Sequence, residues 1–99
     1  MRTLLKVTCP VEASNKAVAD GTMVKIVKSV TEKFHPEATY FLPLDGCRTM
    51  LFVFDLKDSS DLPVIAEPFF SSLNAKLEFT PVMNAEDLQK GLANAGVVK

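Results

Sequence analysis

Residues 49–58 read TMLFVFDLKD, and the five from Met50 to Phe54 (MLFVF) are apolar without a break. Alternate side chains on a strand point to opposite faces, so this segment offers apolar groups to both. A domain of 99 residues is small for a sheet buried on both sides. Helices of the same chain can cover one face, and the other needs a separate cover.

The flanking sequence fixes this segment as half of a hairpin. Glu37 to Leu44 reads as a strand, with Tyr40 and Leu42 opposite Thr39 and Phe41. Asp45-Gly46 follows, two residues that tolerate positive φ and favour a tight turn. The partner strand then runs from Cys47 to Leu56.

Further out, Thr3 to Cys9 (TLLKVTC) places Leu5, Val7 and Cys9 on one face and Leu4, Lys6 and Thr8 on the other. It reads as a strand with one dry and one mixed face, stopped by Pro10. Ser14 or Asn15 is a candidate cap for a short helical piece. Asp20-Gly21 marks a break before a main helix. Val24, Val27, Val30 and Phe34, widened by Met23 and Ile26, form that helix's apolar stripe, which ends near His35 because Pro36 disfavours helical geometry before it.

KDSSD supplies caps for a later helix, with Leu62, Ile65, Ala66, Phe69, Phe70 and Leu73 as its stripe. Pro68 predicts a kink or a restart within it. Ala75 to Met83 reads as the last strand, with Leu77 and Phe79 against Lys76, Glu78 and Thr80. Asn84 caps a final helix that carries Glu86 and Asp87 in its first turn, Leu88, Leu92 and Ala95 on its apolar side, and Gly96 at its end.

The order is β-α-β-β-α-β plus a C-terminal helix, a single α+β domain over residues 1–99 with no linker or repeat. Right-handed crossovers place both main helices on one face of a four-stranded antiparallel sheet, the ferredoxin-like arrangement. The set Thr49, Leu51, Val53 and Asp55 is assigned to the open face because it is the more polar, although alternation alone fits either choice. Leu4 and a residue such as Phe41 are expected to join it. The expected cover is a second copy of the chain; the competing one is the C-terminal helix folded back over the face.

Composition excludes more than it assigns. Lys and Arg number 11 against 12 Asp and Glu, with a pI near 5.7, so no net field draws nucleic acid or anionic lipid. The longest apolar run is too short to cross a bilayer. Two cysteines, both expected as small buried hydrophobes, and no signal-type opening segment point to a reducing, cytoplasmic location.

Chemical motifs are sparse. His35 is the only histidine, which removes a two-histidine metal site, and its place at a helix end suits an exposed imidazole. VTCPVEAS faintly resembles the first loop of ferredoxin-like copper chaperones, but Glu12 stands where a second thiol is needed. LFVFDL lacks the basic flanks and the glycine-aromatic signature of RNA-recognition modules. No phosphate loop, nucleophile elbow or calcium loop occurs. The polar groups left on the sheet are Lys6, Thr8, Glu78 and Asp55, together with Tyr40 and Arg48 on the hairpin. Of these, Lys6, Tyr40, Arg48 and Glu78 are the candidate ligand-binding set, suited to orienting one polar group of a small apolar molecule. No metal or cofactor is expected.

The strand-helix order, the two-faced central strand and the length resemble the dimeric α+β barrel superfamily over roughly residues 3 to 95. EPFFSSLNAKLEFTPVM, from Glu67 to Met83, is similar to the second helix and last strand of its small uncharacterised members. The resemblance implies a homodimer packed sheet to sheet, with a pocket at the interface or under the helices. Members include cofactor-independent monooxygenases and isomerases, for which His35, Tyr40 or Glu78 would be the groups to test. A regulatory module that uses the open face for another protein is a further alternative, and fold alone does not choose among them.

Overall fold

The computed structural model describes residues 1–98. They form β1 (Arg2–Cys9), α1 (Val11–Asp20), α2 (Thr22–Phe34), β2 (Ala38–Leu44), β3 (Cys47–Asp55), α3 (Asp61–Leu73), β4 (Lys76–Pro81) and α4 (Ala85–Asn94). The four strands make one antiparallel sheet in the order β2-β3-β1-β4, which is compatible with the expected ferredoxin-like arrangement. No helix is long and apolar enough to cross a membrane among the described residues.

The strands alternate in burial as a sheet covered on one side should. Thr3, Leu5, Val7 and Cys9 of β1 are buried, as are Met50, Phe52 and Phe54 of β3. Ile26 and Val30 of α2 and Ile65, Phe69 and Leu73 of α3 close over them in the same core. Phe52 and Phe69 meet with ring centroids 6.1 Å apart, and Phe34 packs edge-on against Phe54 at 5.9 Å. Thr49, Leu51, Val53 and Asp55 therefore lie on the open face, the assignment that polarity had favoured. Thr49 is nonetheless buried there, its hydroxyl donating to the Cys47 carbonyl at 3.1 Å.

Helix boundaries follow local chemistry. Gly21, at φ 83°, separates α1 from α2 at the expected break, a conformation that costs an L side chain strain. Neither Ser14 nor Asn15 caps α1. The helix starts at Val11 directly after Pro10, whose ring has no N–H to satisfy, and Ser14 is buried with its hydroxyl on the Val11 carbonyl at 3.1 Å. His35 ends α2 in the left-handed region, at φ 46°, just before Pro36.

Three expectations need correction. The α3 helix runs through Pro68 as one element, so of the expected kink or restart the restart does not occur. Pro68 is exposed, so the carbonyl one turn earlier can turn to water while Ile65, Ala66, Phe69 and Leu73 hold the helix to the core. The α2 stripe loses one member: Ile26 and Val30 are buried and Met23, Val27 and Phe34 pack against the core as expected, whereas Val24 is 69% exposed. Phe41 pairs with Met50, so it belongs to the helix face and not the open face. As the edge strand's residue beside α2 it remains 60% exposed.

The C-terminal helix departs furthest from an ordinary domain. Asn84 caps α4 in a reciprocal box, its Oδ1 accepting from the Asp87 N–H at 2.8 Å while Asp87 accepts from the Asn84 N–H at 3.2 Å. Gly96, at φ 79°, ends it, with Gly96 N–H bonded to the Ala93 carbonyl and Val97 N–H to the Leu92 carbonyl. Both ends are well made, yet no residue of α4 is buried. The helix does not fold back over the sheet. The molecule measures 55 × 28 × 17 Å, with a radius of gyration of 15.8 Å, against about 13 Å for a compact chain of this length.

Candidate functional site

The open face is read by rows across the sheet. Ala38, Val53, Leu4 and Thr80 form one row; Tyr40, Leu51, Lys6 and Glu78 the next; Leu42, Thr49, Thr8 and Lys76 the third. The face is therefore graded. Apolar groups occupy the β2 and β3 half and reach Leu4 on β1, while charge is gathered toward β4. Leu4, Leu42, Leu51 and Val53 are each half-buried by their neighbours, and Tyr40 is 64% exposed.

Three of the four residues singled out in the sequence share the middle row. Lys6 pairs with Glu78 on one side and with Leu51 on the other, and Leu51 pairs with Tyr40. Lys6 and Glu78 take no part in the ion pairs of the described residues, which gather at the end of the sheet. Tyr40 and Glu78 stand three strand spacings apart, about 14 Å. That separation suits the two ends of an elongated ligand and is too wide for two groups acting on one bond.

Arg48 does not join them. It pairs with Cys9 on β1, and its Nη1 donates to Ser14 Oγ at 2.8 Å and Asn15 Oδ1 at 2.7 Å. It therefore sits on the helix face at the start of β3, tying the hairpin to α1. There it flanks an apolar groove of about 360 Å³ lined by Val18, Met23, Phe41, Pro43 and Met50. A neighbouring hollow of about 460 Å³ continues along α2 past Val24, Val27 and Lys28. This groove runs between α2 and the edge strand β2. The sequence held a signal for it, since the two exposed apolar residues Val24 and Phe41 are those whose faces were misassigned.

The far end of the sheet is polar. Arg2 Nε pairs with Glu37 Oε1 at 2.6 Å and its Nη1 with Asp87 Oδ2 at 3.2 Å. Asp55 shares the open face with Lys6 on the neighbouring strand, four residues along from the Lys6 row, where it pairs with Arg2 across the strands and accepts from the Met1 amino group at 2.6 Å. Arg2 shares the open-face parity of Leu4 and Lys6, so its bond to Asp87 anchors the start of α4 on the open-face side. Sequence reading missed this clamp because it joins residues 85 positions apart with no motif.

His35 is exposed at the end of α2 and lines a hollow with Lys33, Phe34, Asp55, Lys57 and Asp61. It lies apart from the Tyr40 row. Cys9 is buried, and burial is the main cause that pushes its thiol up, with Arg48 opposing and Cys47 adding to the shift. Cys47 is half-buried, not buried as expected, and both thiols are free. Among the described residues, no three histidine, cysteine or acidic side chains gather as a metal site.

No protein-family model matches this chain, and no curated protein matches it.

Proposed function

We propose that the chain is a homodimeric binding protein in which two ferredoxin-like subunits meet through their open sheet faces, in the manner of dimeric α+β barrels. The observation that carries this reading is the graded open face, with Leu4, Leu42, Leu51 and Val53 gathered where no helix of the chain covers them. Apolar surface gathered in this way and rimmed by charge is characteristic of an interface. A small, largely apolar molecule is held where the apolar half meets the charged half. Its body lies along Leu51 and its polar group is oriented by Tyr40, or by Lys6 and Glu78.

Magnitudes limit how much the face can do alone. Each of these aliphatic side chains is worth about 1.5–3 kcal/mol when fully buried from water, but their half-covered state leaves only a fraction of that to gain. A total of roughly 3–5 kcal/mol falls at the low end of the ~4–15 kcal/mol that association costs. A durable dimer therefore needs apolar surface beyond the sheet.

Native mass spectrometry of the protein as purified, with the Leu51→Glu variant beside it, tests this reading. The expected spectrum is a dimer, carrying added mass where the ligand survives purification, that falls to an unliganded monomer in the variant. A dimer that persists unchanged in Leu51→Glu places the contact elsewhere and removes the open face from the proposal.

A further inference from the structure

The α4 helix is built to be a helix but has nothing in its own chain to pack on. It has a capping box at its start and a left-handed glycine with the paired terminal bonds at its end. It also carries an apolar side on which Leu88 and Leu92 are 46% and 37% exposed. Isolated helices shorter than about 12–15 residues are marginal in water, and this one has ten residues with Gly91 in its interior. Such a helix is stabilised by burying its apolar side.

Outside the sheet face, the matching surface is the groove between α2 and β2. Val18, Val24 and Phe41 line it while 48%, 69% and 60% exposed. Its length along α2 suits a ten-residue helix of about 15 Å. Charge is complementary: Lys28 and Arg48 border the groove without a carboxylate partner, and the first turn of α4 carries Glu86, which takes no part in the ion pairs of the described residues, while Asp87 stays with Arg2.

The groove of the same chain is out of reach. The clamp from Arg2 to Asp87 fixes the start of α4 beside β1 and β4, on the open-face side and at the Arg2–Asp55 end of the sheet. The groove lies at β2, the opposite edge, on the helix face and near the hairpin end, where Phe41 pairs with Met50. Five residues along the strands and two or three strands across separate them by about 20 Å, measured on opposite faces of the sheet. No residue of α4 is buried against the chain's own helices or sheet.

We propose that α4 is an exchanged arm: its Leu88–Leu92 side docks in the α2–β2 groove of a second copy of this chain. An arm that starts on the open-face side can pass the β2 edge of a copy stacked on that face. Exchange therefore supplies the apolar area that the sheet contact lacks. The inference rests on the homodimer reading for its partner and adds a contact that can be tested apart from the sheet.

The test is sedimentation velocity over a concentration series on the full chain, Leu88→Glu/Leu92→Glu, Val24→Glu, the three changes combined, and Leu51→Glu. All but Leu51 are exposed positions, so folding is retained, which circular dichroism verifies. Amide hydrogen exchange of α4 above and below the dimerisation midpoint gives a second readout. The arm and the groove variants should each weaken the dimer at least about tenfold, and their combination should add little because both remove one contact. Exchange of the α4 amides should slow as the dimer forms. If the dimer is lost in Leu51→Glu but unchanged in the arm variant, with α4 exchanging freely, the arm proposal fails and the sheet reading stands. If the arm and groove variants dissociate a dimer that Leu51→Glu leaves intact, the arm stands and the sheet reading fails. A wild-type monomer throughout the series overturns both.

Discussion

Cys9 and Cys47 differ in setting although both are free thiols in neighbouring positions of the sheet. Cys9 lies in the core beside Leu5 and Val7, and its thiolate would sit without solvent, which is why its proton is held more tightly than usual. Cys47 is partly accessible at the hairpin turn. Iodoacetamide at mildly alkaline pH should therefore alkylate Cys47 first, and Cys9 at a comparable rate only after denaturation, as followed by peptide mass mapping. Equal rates in the folded protein would contradict the placement of Cys9. At this scale the sequence conveyed which face a residue takes more reliably than whether that face is covered. Leu5 and Val7 were legible from alternation, Phe52 and Phe54 only once polarity chose between the two faces of β3, and the row shared by Lys6, Tyr40 and Glu78 became visible with the register. Arg48 was read with them as a polar group of the hairpin, although the parity chosen for Thr49, Leu51 and Val53 already turns it to the other face. Its partner is Cys9, on the helix face.

Elements were legible where a short-range signal acts alone. Asp45-Gly46 makes its turn, Gly21 splits the first helical region, and Asn84 caps α4. They were less legible where packing competes with propensity. Pro68 argues locally for a break, but four buried side chains of α3 outweigh one missing backbone bond. Because Pro68 is exposed, Pro68→Ala restores that bond without disturbing the core. The variant should be more stable by about 1–3 kcal/mol in urea unfolding, with an unchanged slope. A destabilised variant would mean that the ring itself packs or that its restriction of the unfolded chain dominates. In the α2 stripe only Val24 was misplaced, since its three-residue step to Val27 fits the pattern although it lies at the solvent edge of the seam through Ile26 and Val30.

At the scale of the molecule, one side of the sheet is an ordinary two-layer domain, and the other side and the C-terminal helix are left open to solvent. Helices α1, α2 and α3 cover one face of the sheet; the apolar half of the opposite face, the α2–β2 groove and the Leu88–Leu92 side of α4 are left uncovered. The proposed symmetric pair would cover all three: the faces would meet each other, and each arm would enter the other copy's groove. That pairing was only partly foreseeable. The apolar run in TMLFVFDLKD pointed to a second cover, whereas the arm depends on the Arg2–Asp87 clamp, which no local pattern announces.

Self-association of the unmodified protein is the central claim, and equilibrium sedimentation at micromolar concentrations measures it directly. The expected mass is twice that of the 10.8 kDa chain, approached reversibly as concentration rises. A single species at the mass of one chain across the whole range would contradict the account, and would leave the open face, the groove and α4 to be explained by a different protein.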